Sequence, residues 1–173
     1  MSVIRLAVLT LALTACNDQP ARTVGPTVPP PPQSGVAAFI SVDRLDAKPG
    51  DTVRVRVEVQ VGTQQNFKLG SYTGRLHFSP TALQFQEENK ISDGLRVSNP
   101  ANAPKGEIRF AGASPTGFTT LVLYDGSFTV KSSDYTSGLT LVMEEVSAAA
   151  SLANLRPSLK VNPQIFLSRT ANQ

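Results

Sequence analysis

The sequence predicts an all-β domain built as a β-sandwich, and three observations support this prediction. The segment from Thr52 to Val61 alternates strictly, with valine at every odd position from 53 to 61 and polar residues between them. Period-2 alternation with β-branched residues is typical of a half-buried strand. Further short apolar runs follow, separated by Gly, Pro, Asn and Ser, as in a sandwich. The sequence shows no internal repeat and no long helical period.

The first predicted strands lie on either side of recognisable turns. Lys48-Pro49-Gly50-Asp51 precedes the valine strand. Proline presets the first central position of a type II turn, and glycine supplies the positive φ at the second. The strands expected in the first two thirds of the domain are Ala38–Val42, Thr52–Val61, Ser71–Phe78, Ala82–Gln86 and Glu107–Ala111.

The last third of the domain is less regular. Asp125-Gly126 separates two apolar runs, 121–124 and 127–130, and predicts either a hairpin turn or a bulge. Residues 139, 141 and 143 line one face of another predicted strand. Residues 144–155 are the one stretch in which we expect a short helix, because alanine and leucine favour it. A last strand is expected at 158–161 or at 165–167.

The N-terminus has the form of a bacterial lipoprotein signal. Arg5 gives the start a positive charge, an apolar run of about ten residues follows, and small residues precede a cysteine. The run is too short to cross a membrane, which takes roughly 20 apolar residues. Leu13-Thr14-Ala15-Cys16 resembles the lipobox, which implies cleavage after residue 15 and acylation of Cys16. Asn17 is not the Asp associated with inner-membrane retention, so we expect a cell-envelope protein in the outer membrane.

Residues 16–36 are predicted to link the acylated cysteine to the domain. The run Pro29–Pro32 cannot build a core and favours extended polyproline II geometry. The segment is therefore expected to act as a semi-rigid stalk. A proline-rich ligand for an aromatic groove is the alternative. Residues 37–168 form the predicted sandwich domain, and residues 169–173 form a C-terminal tail.

Composition excludes several classes of function. Cys16 is the only cysteine, so neither a disulfide framework nor a thiolate metal site is expected. Removal of Arg5 with the signal lowers the formal charge from +3 to +2, and the basic residues are scattered. We therefore expect no nucleic-acid partner. His77, the only histidine, is predicted to be an exposed polar residue without a nucleophile elbow.

Neither the carboxylate pairs nor the glycines of the sequence indicate an enzyme. Glu87-Glu88 and Glu144-Glu145 are adjacent on predicted strands, so the two members of each pair should point to opposite faces. No glycine-rich phosphate loop follows a strand, and Ser92-Asp93-Gly94 is too sparse for a calcium loop. The sequence predicts no catalytic residue, no cofactor and no metal site.

The aromatic residues give little support for sugar binding. Tryptophan is absent. Tyr72 falls on the apolar side of its predicted strand and is expected in the core. Tyr124 and Tyr135 are the candidates for exposed aromatic side chains, although a polar-tipped core aromatic is the commoner case.

Four segments, in order, resemble the cohesin family. Residues 47–55, Ala-Lys-Pro-Gly-Asp-Thr-Val-Arg-Val, resemble the turn and valine strand that open a cohesin domain. Residues 72–83 resemble the strand that runs into an Asp-Pro-x-x-Leu corner, with Ser79 in place of the Asp. Residues 106–112 and 127–131 resemble two later strands. The resemblance implies a jelly-roll sandwich of about nine strands that binds dockerin modules through one sheet face.

Three functions are compatible with this sequence. The first is a lipid-anchored, non-catalytic, monomeric module that binds a protein partner, dockerin-type or other, through a sheet face. Thr73, Arg75 and His77, the outward residues of the strand before Pro80, are the candidate binding residues. The second is a carbohydrate-binding module for a polysaccharide at the cell surface. The third is a structural surface lipoprotein without a specific ligand. Coplanar exposed aromatics would favour sugar, and a mixed polar and apolar face would favour protein.

Overall fold

The computed structural model describes residues 28–168 of the chain. Nine strands and two short 3-10 helices make up this part. The strands are β1 (Val36–Val42), β2 (Thr52–Val61), β3 (Leu69–His77), β4 (Leu83–Glu88), β5 (Leu95–Asn99), β6 (Glu107–Ala113), β7 (Val122–Val130), β8 (Thr140–Ala148) and β9 (Leu159–Leu167). The 3-10 helices are Ala103–Lys105, between β5 and β6, and Arg156–Ser158, before β9.

The strands form two packed sheets. The five-stranded sheet has the order β4-β7-β2-β1-β9, and the four-stranded sheet has the order β5-β6-β3-β8. All pairs are antiparallel except β1 with β9, which is parallel. The expected jelly-roll sandwich of about nine strands is confirmed.

The valine strand forms the centre of the core, as its alternation predicts. Val53, Val55 and Val57 are fully buried between the sheets, while their polar neighbours face outward. The turn before β2 also has the predicted geometry. Gly50 has a φ of +97°, and the Asp51 amide donates a hydrogen bond to the Lys48 carbonyl at 2.9 Å. Only glycine adopts such a φ without steric cost.

β7 has neither the hairpin turn nor the bulge predicted at Asp125-Gly126, because residues 122–130 form one continuous strand whose irregular pairing with β2 falls between Val122 and Tyr124. The Asp125 side chain faces outward and is only 4% exposed. Its carboxylate accepts hydrogen bonds from Arg54 Nη2 at 2.7 Å, Arg56 Nε at 2.8 Å and Asn89 Nδ2 at 2.7 Å. Because these donors satisfy the carboxylate, Asp125 is accommodated inside a continuous strand and no turn forms there.

The helix expected over residues 144–155 is wrong. β8 continues through Ala148 because it pairs along its length with β3, and a turn follows it. The two alternatives for the last strand, 158–161 and 165–167, fall in the single strand β9 except for residue 158, which ends the 3-10 helix before it. Within residues 28–168, no helix is long and apolar enough to cross a membrane.

Candidate binding face

The outer surface of the four-stranded sheet brings together the binding residues predicted from the sequence. β3 alternates between buried and half-buried positions, and Thr73, Arg75 and His77 occupy the half-buried, outward ones. The register places Thr73 opposite Ala111 of β6 and Glu145 of β8. We call this surface, formed by the outward residues of β5, β6, β3 and β8, the binding face.

β5 contributes residues that the sequence analysis missed. Leu95 and Val97 point outward from this edge strand and are 69% and 58% exposed. They lie opposite Ala113 and Ala111 of β6. The strand has the reverse of the usual polarity, since its apolar residues face solvent and Arg96 faces inward. The sequence signal that could have found it is the alternation of Leu95, Val97 and Asn99 with Arg96 and Ser98.

Arg96 explains the reversed polarity of β5. Its side chain is only 7% exposed. Nη1 donates hydrogen bonds to the Tyr72 hydroxyl and the Val122 carbonyl, both at 2.7 Å, and the guanidinium lies 4.4 Å from the centre of the Phe118 ring. Because successive side chains of a strand point to opposite faces, the inward Arg96 turns its neighbours Leu95 and Val97 outward.

The loop before β5 is tied to the loop before β7. The Asp93 carboxylate accepts hydrogen bonds from the amides of Thr119 and Thr120, both at 2.7 Å. These bonds, that from Thr120 first, hold the pKa of the Asp93 carboxyl below its usual range, and the nearby Arg96 charge acts in the same direction. The carboxylate is therefore charged at neutral pH and fixes the start of β5.

One half of the binding face is apolar. Leu95, Val97, Ala111 and Ala113 surround a shallow depression of about 190 Å³. A second apolar groove, of about 410 Å³, continues it past Ala113 to Leu152.

The loop after β8 ends this second groove. Leu152 is 77% exposed, and both Ala150 and Leu152 have positive φ angles, of 61° and 53°. This backbone conformation is costly for residues other than glycine. The loop thus holds an apolar side chain in solvent in a strained conformation.

The other half of the binding face is charged. Arg75 pairs with Glu144 through Nη2, and its Nη1 lies 3.9 Å from Glu107 Oε2. His77 Nδ1 is also 3.9 Å from Glu107, and Arg109 Nε donates to the same carboxylate at 3.2 Å. Arg75 therefore already has ion-pair partners within the domain, before any ligand binds.

A bulge in β8 corrects one expectation about the glutamate pairs. Thr73 pairs with Glu145 and the next residue, Gly74, pairs with Met143, so Glu144 is the extra residue. Glu145 accepts a hydrogen bond from Ser71 Oγ at 3.1 Å, and Glu144 binds Arg75. Both glutamates consequently lie on the binding face rather than on opposite faces, and each is held by a neighbour from β3.

The two tyrosines that were candidates for exposed aromatic side chains are polar-tipped core aromatics, the commoner of the two cases. Tyr124 is 1% exposed and Tyr135 is 0% exposed. Burial raises the pKa of both hydroxyls, that of Tyr135 to about 12. Tyr135 donates its hydroxyl to the Arg44 carbonyl. Tyr72 lies in the core, as predicted, and its hydroxyl donates to the Leu123 carbonyl at 2.8 Å.

The described part of the chain contains no cluster of three or more His, Cys, Asp or Glu residues able to hold a metal ion. Cys16, predicted as the site of lipid attachment, lies outside the described residues. The same holds for the signal segment 1–15 and the tail 169–173. These expectations therefore stay predictions.

The sandwich is similar to solved cohesin modules along most of their length. The sixth cohesin of scaffoldin B from Acetivibrio cellulolyticus, solved in complex with a Cel5 dockerin, matches with a TM-score of 0.54 and 16% identity, over 76% of this chain and 99% of that one. A type II cohesin of the ScaA scaffoldin from the same organism matches with a TM-score of 0.52 and 13% identity, over 79% and 98%. A non-cellulosomal cohesin from Archaeoglobus fulgidus matches with a TM-score of 0.52 and 17% identity, over 75% and 86%.

No protein-family model and no curated protein matches the sequence. At these low identities the solved structures establish the fold alone. They agree with the resemblance drawn from the four sequence segments. The described part of the chain therefore folds as a cohesin-like β-sandwich.

Proposed function

We propose that this protein is a non-catalytic, lipid-anchored module of the cell surface that binds a protein partner of dockerin type through the binding face. The observation that carries the proposal is the mixed character of that face. Leu95 and Val97 stand in solvent beside a network of ion pairs centred on Arg75. The cohesin fold, seen in modules solved with dockerins, supports a partner of this kind.

The shape and chemistry of the face favour protein over carbohydrate. None of the outward side chains of β5, β6, β3 and β8 is Phe, Tyr or Trp, so the described sheet lacks the strip of exposed aromatic rings that favours sugar binding. The depression beside Val97 and the groove of about 410 Å³ that continues it are shallow and open, whereas small-molecule pockets are concave and bury most of their ligand. A broad, shallow surface with an apolar patch suits another protein.

The apolar half should supply most of the binding energy. Full burial of a leucine or valine side chain contributes about 1.5–3 kcal/mol. The ion pairs around Arg75 are partly exposed, and such pairs are worth about 0–1 kcal/mol each. We therefore expect Leu95 and Val97 to supply most of the binding energy, with Thr73 beside them and Arg75 and His77 contributing from the charged half of the face.

Capture of a partner from cell-envelope extract tests this proposal. The immobilised wild-type protein should retain a specific protein, and Val97→Asp should lose it, since a charge would be buried in the interface. Arg75→Ala should weaken retention less. Gln84→Asp, on an exposed position of β4 in the other sheet, is the control and should retain the partner.

Other outcomes would replace the proposal. Equal retention by Val97→Asp and wild type would place the partner elsewhere. Retention of an insoluble polysaccharide but of no protein would favour the carbohydrate-binding function. Retention of neither would leave a structural surface lipoprotein. Concentration-dependent self-association lost in Val97→Asp would identify a second copy as the occupant of the face.

The lipid anchor is tested separately. Three acyl chains at Cys16 bury far more methylene than a single myristoyl chain, whose binding is marginal and reversible, so attachment should be permanent. The wild-type protein should incorporate a palmitate analogue and remain in the membrane fraction. Cys16→Ala should abolish labelling. Wild-type protein that takes up no label and is released in soluble form would refute the anchor.

A further inference from the structure

The last residues of the predicted linker lie against the sandwich. Residues 33–35 continue the pairing of β1 with β2 past its end, since the Gly62 amide donates to the Gly35 carbonyl at 2.9 Å and the Gln64 amide to the Gln33 carbonyl at 3.1 Å. The Thr63 amide donates to the Pro32 carbonyl at 3.0 Å. Three successive amides beyond β2 thus hold the segment.

The proline run then doubles back along the outer surface of β2. Gln60, an outward residue of that strand, donates its side-chain amide to the Pro29 carbonyl at 2.7 Å. Val28, Pro29 and Pro31 border a groove of about 330 Å³ whose other walls include Arg56 and Val122. Proline carbonyls are free to accept hydrogen bonds because a polyproline II segment makes none internally.

The position directly after β2 is shaped for this contact. A Cβ at position 62 would lie 2.7 Å from Ser34 Cα, so only glycine lets the two backbones approach so closely.

We propose that residues 28–35 are a strap that docks on the outer face of the five-stranded sheet and fixes the direction in which the chain leaves the domain. The strap covers β2, whereas the binding face lies on the opposite sheet. The lipid-linked chain therefore departs from the back of the module and leaves the binding face uncovered, a consequence that rests on the proposed function.

The strap also shortens the stalk. Only residues 16–27 remain between Cys16 and the docked segment, which is 12 residues. At about 3.3–3.6 Å per residue, they hold the domain no more than about 40 Å from the anchor. A free linker of residues 16–36 would allow about 60 Å even in polyproline II geometry.

Hydrogen exchange tests the strap without any partner. We expect the amides of Thr63 and Gln64 to be protected in the full-length protein held in detergent micelles, because both donate to strap carbonyls. Gln60→Glu replaces the amide donor with an acceptor opposite the Pro29 carbonyl. It should speed exchange at these two amides about tenfold, the value of one hydrogen bond.

The control is Gln65→Glu, the same change on an exposed side chain whose amide does not bind the strap. It should leave exchange at Thr63 within about twofold of wild type. If Gln60→Glu also speeds exchange at residues 53–59, the variant has disturbed β2 itself. The double variant Pro29→Gly with Pro31→Gly, which alters only the strap, then replaces it and should speed exchange at Thr63 and Gln64. Wild-type exchange at the rate of an unprotected chain would refute the strap, as would no change in either strap variant. Neither result depends on partner capture, so a failure of the strap can be told apart from a failure of the proposed function.

Discussion

Val57→Asp should abolish cooperative folding, whereas Val97→Asp should leave the domain folded. Val57 is 0% exposed at the centre of β2, opposite Ile40 and Tyr124 in the neighbouring strands. An aspartate there must bury an unpaired charge or bind a proton, at a cost of at least about 4 kcal/mol. That is comparable to the stability of a typical domain, about 5–15 kcal/mol.

Val97 makes a matched control because the substitution is the same and the side chain is 58% exposed. Its cost should stay below about 1 kcal/mol, the span of strand propensities. Thermal unfolding followed by circular dichroism should show a transition near the wild-type temperature for Val97→Asp and none for Val57→Asp. Equal damage from the two changes would contradict the burial pattern of the sandwich.

Arg96→Ala should destabilise the protein by about 3 kcal/mol. The change removes the donor for the Val122 carbonyl and for the Tyr72 hydroxyl, and it leaves a cavity beside Phe118. A hydrogen bond that involves a charged group contributes about 1.5–3 kcal/mol, and this change removes two together with the packing against Phe118. Arg96→Lys should recover only part of the loss, because an ammonium cannot reproduce the planar fork of donors.

Arg109→Ala is the control for this prediction. The Arg109 side chain is 53% exposed and pairs only with Glu107 among the described residues, so its removal should cost no more than about 0.5 kcal/mol. Urea unfolding of the three variants measures the differences. A loss for Arg96→Ala no larger than that for Arg109→Ala would show that Arg96 does not anchor β5.

The sequence predicted the interior of the sandwich better than its surface. The inward face of β2 was predicted correctly because its alternating valines pack against the opposing sheet. The inward faces of β3 and β6 were predicted correctly for the same reason. Arg56 shows the limit of such patterns. It faces outward as predicted, yet its Nε donates to Asp125, a buried carboxylate brought beside it by β7. No local pattern encodes that long-range pair.

β5 was missed for a related reason. Its apolar residues face solvent, and its inward residue is an arginine whose partners come from β3 and from the loop and strand around residues 118–122. The same limit affected Tyr124 and Tyr135, whose burial depends on the opposing sheet and on distant loops. The outward direction of Thr73, Arg75 and His77 was predicted correctly because they alternate along one strand. Leu95 and Val97 could not be assigned to the same face from the sequence, because the assignment depends on the pairing of β5 with β6.

A photo-crosslinking amino acid placed at position 97 of the membrane-anchored protein tests the central claim most directly. If the binding face takes a protein partner, ultraviolet light should join position 97 to that protein in intact cell envelopes. The same probe at position 84, exposed on the other sheet, should yield no adduct. An adduct from position 84 with none from position 97 would contradict the account, and so would the absence of any protein adduct from position 97.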